Sequence, residues 1–222
     1  MPPIEGLITT IAWALGEKVT YALEGSVFST GSTIQWLRDG LQIINETSEV
    51  EALASSVPDN GGVYLVPAFT GLGSPYWDMY ARGTMIGLTR STKSAHIARA
   101  ALESIAYRTR DVVDAMINVT DFKMSTLRVD GGSTTNNMLM QYQADILGTP
   151  IERCAIAEST ALGAAYLAGL AIGYWEGLED IAQHWTRDRR YHPKMDEGNR
   201  EAVYKQWKRA LERARQWVPP SD

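Results

Sequence analysis

Residues 127–141, LRVDGGSTTNNMLMQ, constrain the fold more than any other part of the chain. An apolar run ends there in an aspartate and two glycines, and small hydroxyl residues and two asparagines follow before a helical pattern begins. Glycine supplies the positive φ that such a turn needs, and Asn136 or Asn137 would cap the next helix. The stretch therefore predicts a strand over 125–130 and a helix over 137–147 that stops at Gly148.

The same patterns recur along the whole chain. Residues 6–25 predict a β-hairpin, and 29–44 predict a helix capped by Ser32 with Ile34, Leu37, Leu41 and Ile44 on one face. The longest helical stripe covers 93–117, and an amphipathic helix covers the last part of the chain. Short strands are predicted over 63–69, 84–89 and 151–154. Mixed strands and helices without a linker predict an α/β or α+β fold and a single domain over 1–222.

Composition excludes several classes of protein. The net charge of −5 gives no reason to expect nucleic acid as a partner. A single cysteine, Cys154, cannot form an internal disulfide, which favours a reducing compartment such as the cytoplasm. No window reaches the roughly 18 apolar residues of a membrane span, and no secretory signal pattern is visible. The small-residue stretch 161–175 is interpreted as a helix packed closely in the core.

The Asp130-Gly131-Gly132 turn has two interpretations. Taken alone, it favours a plain strand-to-helix connection. The alternative is a nucleotide site, because glycines let a phosphate approach the backbone and free N–H groups at a helix start attract anions. Residues 29–36, STGSTIQW, form a second glycine–hydroxyl helix start of the same kind. Neither a Walker A motif nor a GxGxxG fingerprint occurs, so a nucleotide would need the loops of another fold.

Other catalytic chemistry is sparse. The three histidines lie far apart without metal-ligand spacing, so no metal site is predicted. No GxSxG motif or paired-carboxylate signature appears. The basic residues of the last helix are interpreted as a solvated face: Lys205, Lys208, Arg209, Arg213 and Arg215.

Four segments together resemble one family. They are 22–39, 63–83, 127–148 and 158–175, and each is similar to a segment of glycerol kinases, within the FGGY carbohydrate kinases, in the same order. The broader FGGY signature resembles residues 83–103. The sequence FTGLGSPYWD at 69–78 favours glycerol kinases over xylulose or gluconate kinases. The resemblance covers about 6–217, with Cys154 and Ser74 as small departures from the usual proline and alanine.

The resemblance implies a fold and a binding site. The fold would be the ribonuclease-H-like α/β domain shared by actin, hexokinase and heat-shock chaperones, in which two domains close around ATP. Gly132 would contact the nucleotide near its phosphates with Ser133 beside it, and Asn136 would hydrogen-bond toward the nucleoside. The first helix start would line the same pocket through Gly31, Ile34 and Gln35. The reaction would be ATP and glycerol giving glycerol 3-phosphate and ADP, with Mg²⁺.

The resemblance also implies that parts are missing. Family members carry a phosphate-binding DxGT turn, a GD[QN] segment with the catalytic aspartate, and a YGTG loop, and none of these occurs here. The chain is therefore expected to lack the N-terminal substrate domain, all catalytic residues and activity on its own. A face shaped to meet that domain predicts self-association into a homo-oligomer. Alternatives are a split-kinase subunit, a kinase for another small polyol or sugar, and a non-catalytic nucleotide-binding module.

Overall fold

A computed structural model describes residues 5–120 and 123–219. The chain begins with the predicted hairpin, in which β1 (Ile8–Leu15) pairs antiparallel with β2 (Lys18–Glu24). Gly16, with φ of +59°, makes the turn. The hairpin forms a sheet of its own, and Ile11 on it is 60% exposed.

The core is built around one long helix. Helix α3 (Ser94–Thr120) packs against α2 (Val50–Ser55) and α4 (Asn137–Leu147), and it buries Ala101 and Ile105 of its predicted apolar stripe, with Ala98 beside them. Beside it, β3 (Tyr64–Val66) pairs antiparallel with β4 (Thr84–Ile86). Pro67 follows β3 directly and cannot donate to a ladder, which limits this strand to three residues.

Helix α1 (Gly31–Asp39) is shorter than predicted. The N–H groups of both Gly40 and Leu41 donate to Trp36 O, and Gln42 follows with φ of +55°, so the helical path ends there. Ile44 is still buried, but it lies beyond the helix. The predicted Ser32 cap is also wrong, because the capping position belongs to Thr30.

The predicted strand–turn–helix unit is present. β5 (Leu127–Val129) leads through a 3₁₀ turn, Gly132–Thr135, into α4, which ends at a left-handed Gly148 with φ of +63°. β6 (Ile151–Cys154) then pairs parallel with β5, and β7 (Arg187–Tyr191) pairs antiparallel with β6. This order places the turn at the carboxyl end of β5, where open α/β sheets bind ligands.

Helix α5 (Ser159–Ala171) contradicts the interpretation of its sequence. The helix lies on the surface, and Gly169, packed against Trp175, is its one buried residue. Ile172, just after it, is 82% exposed. Apolar residues point in all directions around this helix, a pattern typical of a buried helix, but no described element covers it on its outer side. Helix α6 (Leu178–Gln183) follows, and no described helix is long and apolar enough to cross a membrane.

The last helix is tied to α3 by a buried charge network. Helix α7 (Glu197–Ala214) buries Trp207. The Asp111 carboxylate accepts three hydrogen bonds, from Trp207 Nε1, the Tyr204 hydroxyl and the Arg108 guanidinium. Lys208 lies 3.5 Å from the same carboxylate and donates to the Tyr76 hydroxyl. Lys208 thus belongs to the packing between helices, which corrects its assignment to a solvated face.

Candidate functional site

One cavity of about 560 Å³ lies between α1, α2, α3, the 3₁₀ turn and α4. It brings together residues that are about 100 positions apart in the sequence. Every residue to which the family resemblance assigns nucleotide binding lines this cavity: Gly31, Ile34, Gln35, Gly132, Ser133 and Asn136. A second groove of about 520 Å³ runs along β5 and shares Ile105, Gly132, Ser133 and Leu139 with it.

The start of α1 is open. Thr30 occupies the capping position in a non-helical conformation, but its side chain makes no capping hydrogen bond. The N–H groups of Gly31 and Ser32 donate no hydrogen bond within the described part of the chain. A Cβ on Gly31 would lie 3.2 Å from Ser133 Oγ, so this helix start and the 3₁₀ turn face each other closely.

The DGG turn holds two further free donors. Gly131 has φ of +86° and ψ of 168°, a conformation essentially restricted to glycine, and its N–H donates to Ala157 O. The hydroxyl of the buried Thr134 donates to Gly131 O at 2.7 Å and fixes the turn from inside. The N–H groups of Gly132 and Ser133 have no acceptor among the described residues. A phosphate oxygen is the kind of acceptor that such successive N–H groups bind.

The start of α4, in contrast, is closed. Asn136 caps it as predicted, because its Oδ1 accepts from Leu139 N at 2.8 Å and its carbonyl accepts from Met140 N. The remaining two N–H groups, of Asn137 and Met138, donate to the Glu51 carboxylate at 3.1 and 3.2 Å. No N–H of this helix start is left for an anion. The free donors expected there lie instead at Gly132 and Ser133.

An apolar floor completes the cavity. Leu102 and Ile105 of α3 and Leu139 of α4 are buried and line it beside Ile34. Sequence reasoning missed the three floor residues, since apolar side chains on a helical stripe predict core packing and carry no separate signal for a ligand. Apolar contacts next to a few oriented polar groups are typical of small-molecule sites and suit a heteroaromatic base.

Glu51 is the single titratable residue among the described residues that line the cavity. Its carboxylate is engaged by α4, so the site offers positioning and backbone donors but no free general base. Among residues 5–120 and 123–219, no group of three His, Cys, Asp or Glu side chains is arranged to hold a metal ion.

The sequence matches one family model over most of its length. Residues 2–172 match the C-terminal domain of the FGGY family of carbohydrate kinases. The chain is 62% identical over 212 residues to glycerol kinase 2 of Thermotoga maritima. This match covers 96% of this chain and 43% of that protein. Glycerol kinase of Petrotoga mobilis is 60% identical over 219 residues, with 97% and 44% covered. The chain thus spans less than half the length of these curated relatives.

Solved structures agree with the sequence match. Plasmodium falciparum glycerol kinase with ADP superposes with a TM-score of 0.86 at 38% identity, covering 94% of this chain and 42% of that one. Gluconate kinase from Lactobacillus acidophilus gives a TM-score of 0.78 at 27% identity, covering 95% and 42%. These matches confirm the predicted α/β fold of the actin and hexokinase type.

Proposed function

The chain belongs to the FGGY family of carbohydrate kinases, and from this premise we propose that it is the nucleotide-binding part of a glycerol kinase. Its cavity binds ATP and ADP, and the complete enzyme transfers the γ-phosphoryl group to glycerol, giving glycerol 3-phosphate. One observation carries the proposal. The six residues that the resemblance assigned to the nucleotide converge on one cavity, in a fold similar to that of a glycerol kinase solved with ADP.

Glycerol is favoured over a larger sugar as the acceptor. The relatives at about 60% identity are glycerol kinases, whereas the gluconate kinase match is 27% identical. The acceptor site itself belongs to the N-terminal domain of the longer protein in this proposal. Residues 1–222 then form one nucleotide-binding domain, which acts in the cytoplasm where ATP is available.

The chain's own contribution to the reaction is positioning. Phosphoryl transfer depends mostly on alignment of the reactants and stabilisation of charge. The free N–H groups of Gly31, Gly132 and Ser133 would hold phosphate oxygens, and Ile34 and Leu102 would hold the base. Mg²⁺ would arrive with ATP as part of the substrate and screen the phosphate charge. The base that accepts the glycerol proton and the water-excluding closure would come from the N-terminal domain.

Complementation tests this proposal. The part of the Thermotoga maritima relative that precedes its 212 matched residues would be produced separately and mixed with this chain. We expect glycerol-dependent ADP production from the mixture, and a rate below about 1 s⁻¹, the low end for kinases, from the chain alone.

The Gly132→Val variant serves as the control for the mixture, because its side chain would fill the cavity. An inactive mixture, together with no ATP binding by calorimetry, would show that the proposed function is wrong. Kinase rates of about 1 s⁻¹ or more from the chain alone would show that the division of labour between the two parts is wrong.

A further inference from the structure

Glu51 closes the start of α4 from a different helix. It lies in α2, and its two carboxylate oxygens accept from consecutive N–H groups of a helix that begins 86 residues later. Glu51 also lines the cavity, so its charge lies beside any ligand bound there. Both the helix cap and one wall of the cavity therefore depend on the same group.

The polar groups that line the cavity differ in charge. A helix start carries about half a positive charge, so a full carboxylate at the start of α4 leaves that part of the lining negative. Elsewhere in the lining, Gly31, Gly132 and Ser133 present N–H groups that donate no hydrogen bond to the described protein. Among the described residues that line the cavity there is one acidic side chain, Glu51, and no basic one. The cavity thus offers N–H donors at Gly31, Gly132 and Ser133 and an anionic acceptor at Glu51.

We propose that Glu51 sets the direction in which a nucleotide lies in this cavity. It excludes phosphate groups from the start of α4 and so directs them to the donors at Gly31, Gly132 and Ser133. This inference rests on the proposed nucleotide-binding function. Glu51 acts here as a positioning residue, through its charge and through the two N–H groups that it occupies.

The carboxylate also suits the uncharged end of the ligand. Each of its oxygens accepts one N–H and keeps further acceptor capacity. A ribose hydroxyl or an exocyclic amine can donate to it, whereas a phosphate oxygen can only be repelled. The nucleoside therefore fits beside Asn136 and Glu51, and the phosphates fit at the open donors.

A titration of amide NMR signals with inorganic pyrophosphate tests the proposal. In the wild-type chain, we expect shifts at Gly132 and Ser133 and none at Asn137 and Met138. In Glu51→Gln, which keeps the shape but loses the charge, the signals of Asn137 and Met138 should also shift. Pyrophosphate should bind about two- to fivefold more tightly, the range expected for one charge at a helix start. Glu51→Ala, which frees both N–H groups, should also bind pyrophosphate more tightly and show shifts at Asn137 and Met138.

Glu49→Gln is the matched control. Glu49 lies two residues away, carries the same charge and accepts from Asn45 N, but it does not line the cavity. This variant should leave pyrophosphate binding unchanged, and amide spectra of each variant would verify folding. Two results would overturn the inference. One is that pyrophosphate shifts the amide signals of Asn137 and Met138 in the wild-type chain. The other is that neither Glu51 variant binds pyrophosphate more tightly than the wild-type chain.

A parallel titration with ADP separates this inference from the proposed function. If ADP shifts neither Ile34 nor Asn136 in the wild-type chain, nucleotide binding fails whatever the pyrophosphate result. If ADP binds but the ratio of ADP affinity to adenosine affinity is the same in the Glu51 variants as in the wild-type chain, only the proposed role of Glu51 is wrong. We expect this ratio to rise in both variants.

Discussion

The starts of α1 and α4 face the same cavity and look alike in sequence, but they are built in opposite ways. Glycine and small hydroxyl residues surround both starts, over 29–33 at α1 and over 131–135 just before α4. The α1 start has no side-chain cap, and the N–H groups of Gly31 and Ser32 find no acceptor in the described part of the chain. The α4 start is saturated by Asn136 and Glu51. A cap stabilises a helix, whereas an uncapped start keeps its donors for a ligand, so one start serves stability and the other serves binding.

The largest effect should come from the backbone of the DGG turn. Gly131→Ala places a Cβ on a residue with φ of +86° and ψ of 168°, and should lower the free energy of unfolding by about 1–3 kcal/mol. Gly31→Ala places its Cβ 3.2 Å from the hydroxyl of the exposed Ser133, which can rotate away, and should change the free energy of unfolding by no more than about 0.5 kcal/mol. Urea denaturation of both variants measures the difference. Equal losses would show that the two starts do not differ in backbone strain.

The second effect concerns binding at the open side. A Cβ added to Gly132 would meet no atom within 4 Å among the described residues beyond its chain neighbours, and Gly132 borders the cavity. Gly132→Val should therefore fold normally but fill the space for the nucleotide. We expect ADP affinity to fall by about tenfold or more, which corresponds to about 1.4 kcal/mol. Calorimetry measures it. Gly163→Val on the exposed helix α5 is the control, since Gly163 also has a free Cβ position but does not line the cavity.

The third effect compares the two capping residues directly. Asn136→Ala removes the acceptor for Leu139 N and should cost about 1 kcal/mol of unfolding free energy. Thr30→Ala removes a side chain that makes no capping bond, and should cost about 0.5 kcal/mol or less. Thermal unfolding of the two variants checks this order. A loss at Thr30 as large as that at Asn136 would contradict the open state of the α1 start.

Local sequence patterns were enough to predict the main helices, strands and turns around the two helix starts. The hairpin, α3, the strand–turn–helix unit around Gly131 and the left-handed end of α4 at Gly148 follow from glycine placement and helical periodicity, and the structure has them. Such signals depend only on a few neighbouring residues, so they can be identified in the sequence without the tertiary structure. The resemblance to a family then selected six residues that line one cavity, although their contacts with a nucleotide stay a prediction.

Long-range contacts explain what the sequence did not predict. No local signal links Glu51 to the start of α4, because the pairing exists only once α2 and α4 pack together. Helix α5 was expected in the core because of its apolar composition, yet nothing in composition specifies a covering element. The sequence predicts a solvated Lys208, because its partners Asp111 and Tyr76 come from distant segments and leave no local signal.

A crystal structure of the chain with ADP tests the central claim most directly, because it shows both ends of the ligand at once. The account predicts ADP in the cavity between α1 and α4, with phosphate oxygens within hydrogen-bond distance of the N–H groups of Gly132 and Ser133. The nucleoside should lie toward Asn136 and Glu51. Phosphates bound at Asn137 and Met138, or ADP bound outside this cavity, would contradict it.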